Sequence, residues 1–242
     1  MTLPTVVLFD LDDTLFAHQR AVRLGVTAHR RASGAPLADA DDDAELARWH
    51  ALEEHHYGRY LAGELAYLEQ RRHRARDFVE PYGLDLSADH MADQWFGDYM
   101  VQYQLAWTLH DDALPCLDEL QSQGTRIGII TNGDLKFQMA KIDRMGLTPR
   151  IEHVIASGEL GFAKPDRRIF EHTCSVFGVR PSEAAYVGDR LETDAIGATT
   201  AGLAGVWLAR GIPTSPELES ARESGVAVIR TLAEVAAVLA AP

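Results

Sequence analysis

Five short apolar runs, spaced by helix-length stretches, constrain this chain more than any other feature of its sequence. They occupy residues 5–10, 126–131, 152–156, 184–188 and 205–209. Rich in Val, Ile and Leu, they lack the apolar–polar alternation of a strand with one wet face, so each is expected as a strand buried on both sides. Helical stretches fall between them, at about 113–123, 135–145, 168–177 and 194–201, and a final amphipathic helix is expected over 231–239. Gly124, Gly146, Gly178 and Gly202 each follow one of the four inner stretches, where a helix C-terminus favours a left-handed residue. This alternation predicts an α/β fold, a doubly wound parallel sheet with helices on both faces and right-handed crossovers.

Residues 17–110 interrupt the pattern. They hold no strand-like run, and apolar residues recur at helical spacing, as in Leu46, Trp49, Leu52 and again in Leu61, Leu65, Leu68. Pro36, Pro81 and Gly83 divide the stretch into about four helices. The expectation is a helical domain, 17–110, inserted into an α/β core made of 1–16 and 111–242. Trp49, Trp95 and Trp107 suit the core of the insertion, and Asp41, Asp42 and Asp43 suit a helix start or a solvated loop.

Charge and cysteine usage narrow the partners. With 23 basic and 36 acidic residues the net charge is −13, which repels nucleic-acid backbones and anionic membrane faces. No apolar run approaches the roughly 20 residues that span a bilayer, and the N-terminus lacks the order of a signal peptide. Cys116 and Cys174 are too few for a disulfide framework or a metal cluster and suit small buried positions. A cytoplasmic protein without nucleic-acid or membrane partners, monomeric by default, is the expectation. Only three lysines occur, Lys136, Lys141 and Lys164, and all lie beyond the insertion.

Chemistry concentrates where the apolar runs end. Asp10-Leu-Asp12-Asp13-Thr14 follows the first run directly, and extended backbone there puts Asp10 and Asp12 on one side. Two carboxylates so close require a cation or a shared proton. Thr131-Asn132-Gly133 follows the second run, Lys164-Pro165 lies shortly after the third, and Gly188-Asp189 closes the fourth, with Asp194 five residues on. Taken singly, each has a plain reading as a turn, a cap or a surface charge. In a parallel sheet, however, all four emerge on one edge, where open α/β sheets bind ligands.

The ordered set Asp10-x-Asp12-x-Thr14, Thr131, Lys164-Pro165 and Gly188-Asp189-x-x-x-x-Asp194 resembles the haloacid dehalogenase-like hydrolase superfamily. The position and helical character of the insertion resemble the subfamily with an α-helical cap. Thr131-Asn132-Gly133-Asp134 with Gln138, and the stretch from Gly188 to Asp194, are similar to the branch holding N-acylneuraminate-9-phosphatases and pyrimidine nucleotidases. The resemblance implies a Mg²⁺-dependent phosphatase acting on a small phosphorylated metabolite. Asp10 would be the nucleophile and Asp12 the general acid and base. Thr131, Lys164 and the backbone at Asn132 and Gly133 would hold the phosphoryl group. Asp10, Asp189 and the main-chain carbonyl of Asp12 would bind the metal, with Asp194 behind them.

A departing halide needs no proton, so Asp12 favours phosphoryl transfer over dehalogenation. A phosphonate-cleaving member needs a cap lysine, which the insertion lacks. A phosphomutase shares every core residue and stays open, as does a non-catalytic phospho-ligand-binding protein. A receiver domain is too short to account for the insertion. In the cap, Arg20, Arg23, Arg71, Arg72 and Arg76 are the candidates for gripping an anionic leaving group. Arg72, following Gly63-Glu64, is the first of these to test. Of the histidines, His18 lies near enough in sequence to the first motif to reach a substrate.

Overall fold

Val6, Val7, Leu8 and Phe9 are fully buried and form β1 (Val6–Phe9) at the centre of the sheet in the computed structural model, which describes residues 3–240. The chain then passes into a helical unit: α1 (His18–Ala32), α2 (Asp42–Leu61), α3 (Tyr67–Val79) and α4 (Asp89–Leu105). It returns through α5 (Ala113–Ser122), β2 (Arg126–Thr131), α6 (Leu135–Arg144), β3 (His153–Ala156), α7 (Arg167–Phe177) and β4 (Ala184–Gly188). A π-helical turn (Leu191–Ile196) leads into α8 (Gly197–Thr200), followed by β5 (Ala204–Leu208), α9 (Ser215–Glu223), β6 (Ala227–Ile229) and α10 (Val235–Ala240). Every strand pairing is parallel, in the order β3-β2-β1-β4-β5-β6. The α/β architecture and the parallel sheet are as the alternation of runs and helices predicts.

The chain divides into two units, one from the segments up to Ala17 and from Thr108 onward, the other His18–Trp107. The segments that leave and re-enter the core run side by side. Phe16 bridges to Leu109, Ala17 N–H donates to the Thr108 carbonyl (3.0 Å), and His110 N–H donates to the Leu15 carbonyl (2.9 Å). These bonds give Ala17 and residues 108–110 to the core, whereas the sequence pattern predicts the insertion over 17–110.

Within the helical unit, Asp41 caps α2 by accepting from Ala44 N–H (2.8 Å). Trp49 is fully buried, with ring centroids 5.1 Å from Phe78 and 4.5 Å from Tyr99. Trp95 and Trp107 are only partly buried.

In the core unit, Gly128 of β2 lies level with Leu8 of β1. A Cβ there would stand 2.6 Å from the Phe177 ring and 2.9 Å from Leu8, so the missing side chain is what lets α7 close onto the sheet. Gly178 ends α7 at φ +68°, as expected of a left-handed C-terminal residue.

Three features depart from the sequence expectation. β6 was not foreseen, because three residues at a sheet edge are too short a run to register as periodicity. The stretch 194–201 begins earlier, as the π-helical turn, which places Asp194 inside a wide turn and not at a helix start. The tail is a short 3₁₀ turn (Leu232–Glu234) ahead of α10, where one continuous helix was expected.

Gly128→Ala should cost about 1–3 kcal/mol by overpacking, read as a lower urea midpoint with an unchanged slope. An unaltered midpoint would mean that the α7–sheet contact can give.

Candidate active site

Because all strands run the same way, their carboxyl ends gather the polar residues on one edge. Asp10 sits one residue beyond β1, held level with β4 by its N–H donating to the Val187 carbonyl (2.9 Å). Its carboxylate receives the Lys164 ammonium at 2.5 Å. The same Nζ lies 2.8 Å from Asp194 Oδ1 and donates to the Tyr186 hydroxyl at 2.7 Å. That hydroxyl donates in turn to the Ile130 carbonyl (3.0 Å). Lys164 is 6% exposed, Asp10 6% and Asp194 1%, so this is an interior ion cluster and not a surface bridge.

The backbone is shaped to allow it. Asn132 clamps the Lys164 residue from both sides, its Oδ1 accepting from Lys164 N–H (2.9 Å) and its Nδ2 donating to the Lys164 carbonyl (3.0 Å). Gly188 has no side chain because Asp194 occupies that space; a Cβ there would come within 2.4 Å of it. Asp194 Oδ2 accepts from Arg190 N–H (3.1 Å), a bond that the π-helical turn brings about. Asp189 is fixed through its carbonyl, which accepts from Trp207 Nε1 (2.9 Å).

Burial, then the charges of Asp194 and Asp12, push the Asp10 carboxyl up to about 7, against the opposing pull of Lys164. Burial, followed by Asp10 and Asp194, pushes Asp189 up to about 9. Burial alone would lower the Lys164 ammonium, but Asp10 and Asp194 outweigh it and hold it above the ordinary lysine value. One ammonium therefore does not neutralise the acids around it. Carboxylate oxygens of Asp10, Asp189 and Asp194 all lie within 4.8 Å of one another. An all-oxygen donor set with surplus negative charge fits a hard dication.

Asp12 has partners of its own. Its Oδ1 receives the Lys141 ammonium (2.6 Å) and its Oδ2 accepts from Gln138 Nε2 (3.0 Å). Gln138 Nε2 also lies 2.8 Å from Thr131 Oγ1, so one amide group touches both Asp12 and Thr131. Asp13 turns the chain at φ +62°, a left-handed conformation that Asp tolerates. Its N–H donates to the Phe16 carbonyl (2.7 Å). Arg210, paired with Asp112 at 2.9 Å, donates to the Thr14 carbonyl (3.0 Å) and steadies the same turn.

The core residues singled out in the sequence are thus brought together, with one correction. Gly133 N–H donates to Ser157 Oγ (2.9 Å) and its carbonyl accepts from Gly158 N–H (2.9 Å), so both of its main-chain groups serve the β3 exit and not a ligand. Asn132 contributes its side chain to Lys164. In the helical unit, His18 Nδ1 lies 2.9 Å from the Tyr103 hydroxyl. Arg72 grips Asp93 with two bonds of 2.7 Å and Asp89 with one of 2.6 Å, and a substrate anion would have to displace those carboxylates. Arg76 is likewise bonded to Asp89 (2.6 Å), and Arg23 to Asp43 (2.8 Å).

Sequence reasoning missed Tyr186 and Lys141. Tyr186 sits mid-strand in an apolar run, where an aromatic reads as core. Lys141 lies one helical turn beyond Gln138 on α6, a spacing that puts both on one face and could have marked it.

A sequence description of haloacid dehalogenase-like hydrolases matches residues 4–202. The chain is 33% identical over 202 residues, 83% of each chain, to ribulose-1,5-bisphosphate 5-phosphatase of Halopiger xanaduensis. It is 38% identical over 109 residues, 44% of each chain, to N-acylneuraminate-9-phosphatase of Rattus norvegicus. Among solved structures, the HAD-hydrolase YfnB of Bacillus subtilis, bound to magnesium, aligns with a TM-score of 0.79 at 24% identity, over 98% of this chain and 99% of that one. At that identity the likeness speaks for the fold.

The raised acids give a pH test of the cation site. A carboxyl whose folded value exceeds its unfolded 3.8 destabilises the fold as pH rises between the two values, here up to about 7 for Asp10 and about 9 for Asp189. In chelator the melting temperature should therefore fall from pH 6 to pH 8.5, and Mg²⁺ should raise it more at pH 8.5. An equal Mg²⁺ shift at both pH values would remove these carboxylates as the cation site.

Proposed function

The chain belongs to the haloacid dehalogenase-like hydrolases and is a phosphoric monoester hydrolase, and we propose that it releases phosphate from a small phosphorylated metabolite through covalent catalysis by Asp10. What supports this reading is the Lys164 ammonium seated between Asp10 and Asp194 on the sheet edge where Asp12 and Thr131 also converge. A phosphate monoester repels an anionic nucleophile, so the site must supply positive charge and hold the attacking and leaving oxygens in line. Lys164 is one such charge. The carboxylates of Asp10 and Asp189 and the main-chain carbonyl of Asp12, with Asp194 behind them, would hold Mg²⁺, which would supply the rest of the positive charge.

In the first step an Asp10 oxygen bonds to phosphorus as the bond to the leaving alcohol breaks, and Asp12 gives that alcohol its proton. In the second, a water oxygen bonds to phosphorus and the bond to Asp10 breaks, its electron pair returning to the carboxylate. Asp12 takes the water's proton and is ready for the next cycle. Thr131 Oγ1 offers a hydrogen bond to a phosphoryl oxygen, and Asn132 acts through Lys164, fixing the residue that carries the ammonium. An acid two residues after the nucleophile has no task in halide departure, which favours phosphoryl transfer over dehalogenation.

Ribulose bisphosphate and acylneuraminate phosphate, named in two relatives, are both sugar phosphates. A panel of phosphorylated metabolites should therefore start there, with phosphate release as the readout. Asp10→Asn should reduce release to background while the melt stays cooperative; substantial residual turnover would refute the nucleophile. Asp12→Asn should slow turnover of alkyl phosphates by about 10²–10⁴-fold, the usual value of general acid–base assistance. Equal rates in wild type and that variant would contradict the acid–base role.

A further inference from the structure

Two of the three lysines in this chain are buried, and the proposed chemistry uses only Lys164. Lys141 is 2% exposed, on the inner face of α6, with its ammonium 5.0 Å from the Phe16 ring centroid and 4.9 Å from that of Phe137. A buried ammonium needs a counter-charge, and the Asp12 carboxylate lies 2.6 Å away. The remaining Asp12 oxygen is bonded by Gln138, whose same nitrogen reaches the Thr131 hydroxyl. Both oxygens of Asp12 are therefore held by donors from a single helix face, one of them shared with a side chain proposed to hold the phosphoryl group.

We propose that Lys141 is a positioning residue for Asp12, and that with Gln138 it fixes the carboxylate beside the phosphoryl site so that Asp12 can take the proton of the attacking water. The inference rests on the phosphatase reading and adds to it a residue outside the recognised motifs. A free Asp side chain in a turn samples several rotamers, and only some of them face the phosphorus. Two directed bonds select one. The aromatic faces of Phe16 and Phe137 favour a cation at Lys141, so the ammonium stays charged and in place while Asp12 gains and loses its proton. Gln138 couples the arrangement to Thr131, so the carboxylate and the phosphoryl-binding hydroxyl keep a common frame.

The step most dependent on Asp12 as a base is the second one, in which the water oxygen bonds to phosphorus, the phosphorus–Asp10 bond breaks and the water proton passes to Asp12. An aryl phosphate isolates it, because p-nitrophenolate leaves without a proton. Stopped-flow turnover of p-nitrophenyl phosphate with Mg²⁺ by Lys141→Met should show a burst of p-nitrophenolate approaching one equivalent per active site. A steady state about 10–100-fold below wild type should follow, the range seen when a group that orients a functional residue is lost. KM should not rise. Lys141→Arg, which keeps a cation in place, should recover most of the steady-state rate and lose the burst.

A Lys141→Met enzyme with wild-type turnover, or one in which burst and steady state fall together while the melt stays cooperative, would overturn the proposal. If that variant does not melt cooperatively, Gln138→Met decides, since it leaves the ammonium paired with Asp12. A burst is then expected, and its absence rejects the positioning role. Asp10→Asn is measured alongside. Turnover by that variant would refute the phosphatase mechanism itself, whereas an inert Asp10→Asn with an unaltered Lys141→Met would refute only the role of Lys141.

Discussion

One buried ammonium organises the carboxyl edge of this sheet. Lys164 lies within 2.8 Å of both Asp10 and Asp194, and burial together with the crowding of acids still raises the Asp10 and Asp189 carboxyls with that cation among them. Burying such a charge is tolerable only when its donors are matched by partners. The surrounding sequence supplies them. Tyr186 provides an acceptor in mid-strand, Asn132 braces the backbone on both sides of the lysine, and Gly188 leaves room for Asp194. The sheet topology places these residues near one another, and the ion cluster sets their separations.

The two aspartates that flank Leu11 differ in surroundings more than in chemistry. The Asp10 side chain is 9% exposed and shares its cation with another acid, whereas the Asp12 side chain is 28% exposed and has a lysine and a glutamine on α6 as partners. Their separate roles in the proposed reaction follow from this. The buried one approaches phosphorus directly, and the more accessible one exchanges protons with alcohol and water. Two like groups doing unlike work because their environments differ is a general device of acid–base enzymes. Asp13, at φ +62°, is what turns the chain between them and the helical unit.

Much of this was legible in the sequence. Continuous apolar runs announced five of the six strands because a parallel sheet covered on both faces needs apolar residues on both sides. The polar residues closing four of the runs marked the site, since parallel strands end together. What stayed hidden depended on distance across the fold. No local pattern shows that Tyr186 will meet Lys164, that Asn132 will turn its amide onto a peptide thirty-odd residues on, or that Gly133 will give its main chain to Ser157 and Gly158. β6 was invisible for another reason, being three residues long and only partly buried. In the helical unit the arginines looked available in sequence, yet Arg72 and Arg76 are tied to acids on α4, and such charge pairing leaves no periodic trace.

The central strand is made first and completed late. Val6 pairs with Arg126 on one side and with Ala184 on the other, so β1 has no hydrogen-bonded neighbour until those segments exist. During synthesis His18–Trp107 leaves the ribosome in the interval, a unit whose helices contact one another. The core, by contrast, is built from pairings of long sequence separation, the kind that close slowly. Four consecutive apolar residues therefore wait without a strand partner while the ribosome moves on, and a nascent chain halted before Arg126 would present them to chaperones or to other copies of itself.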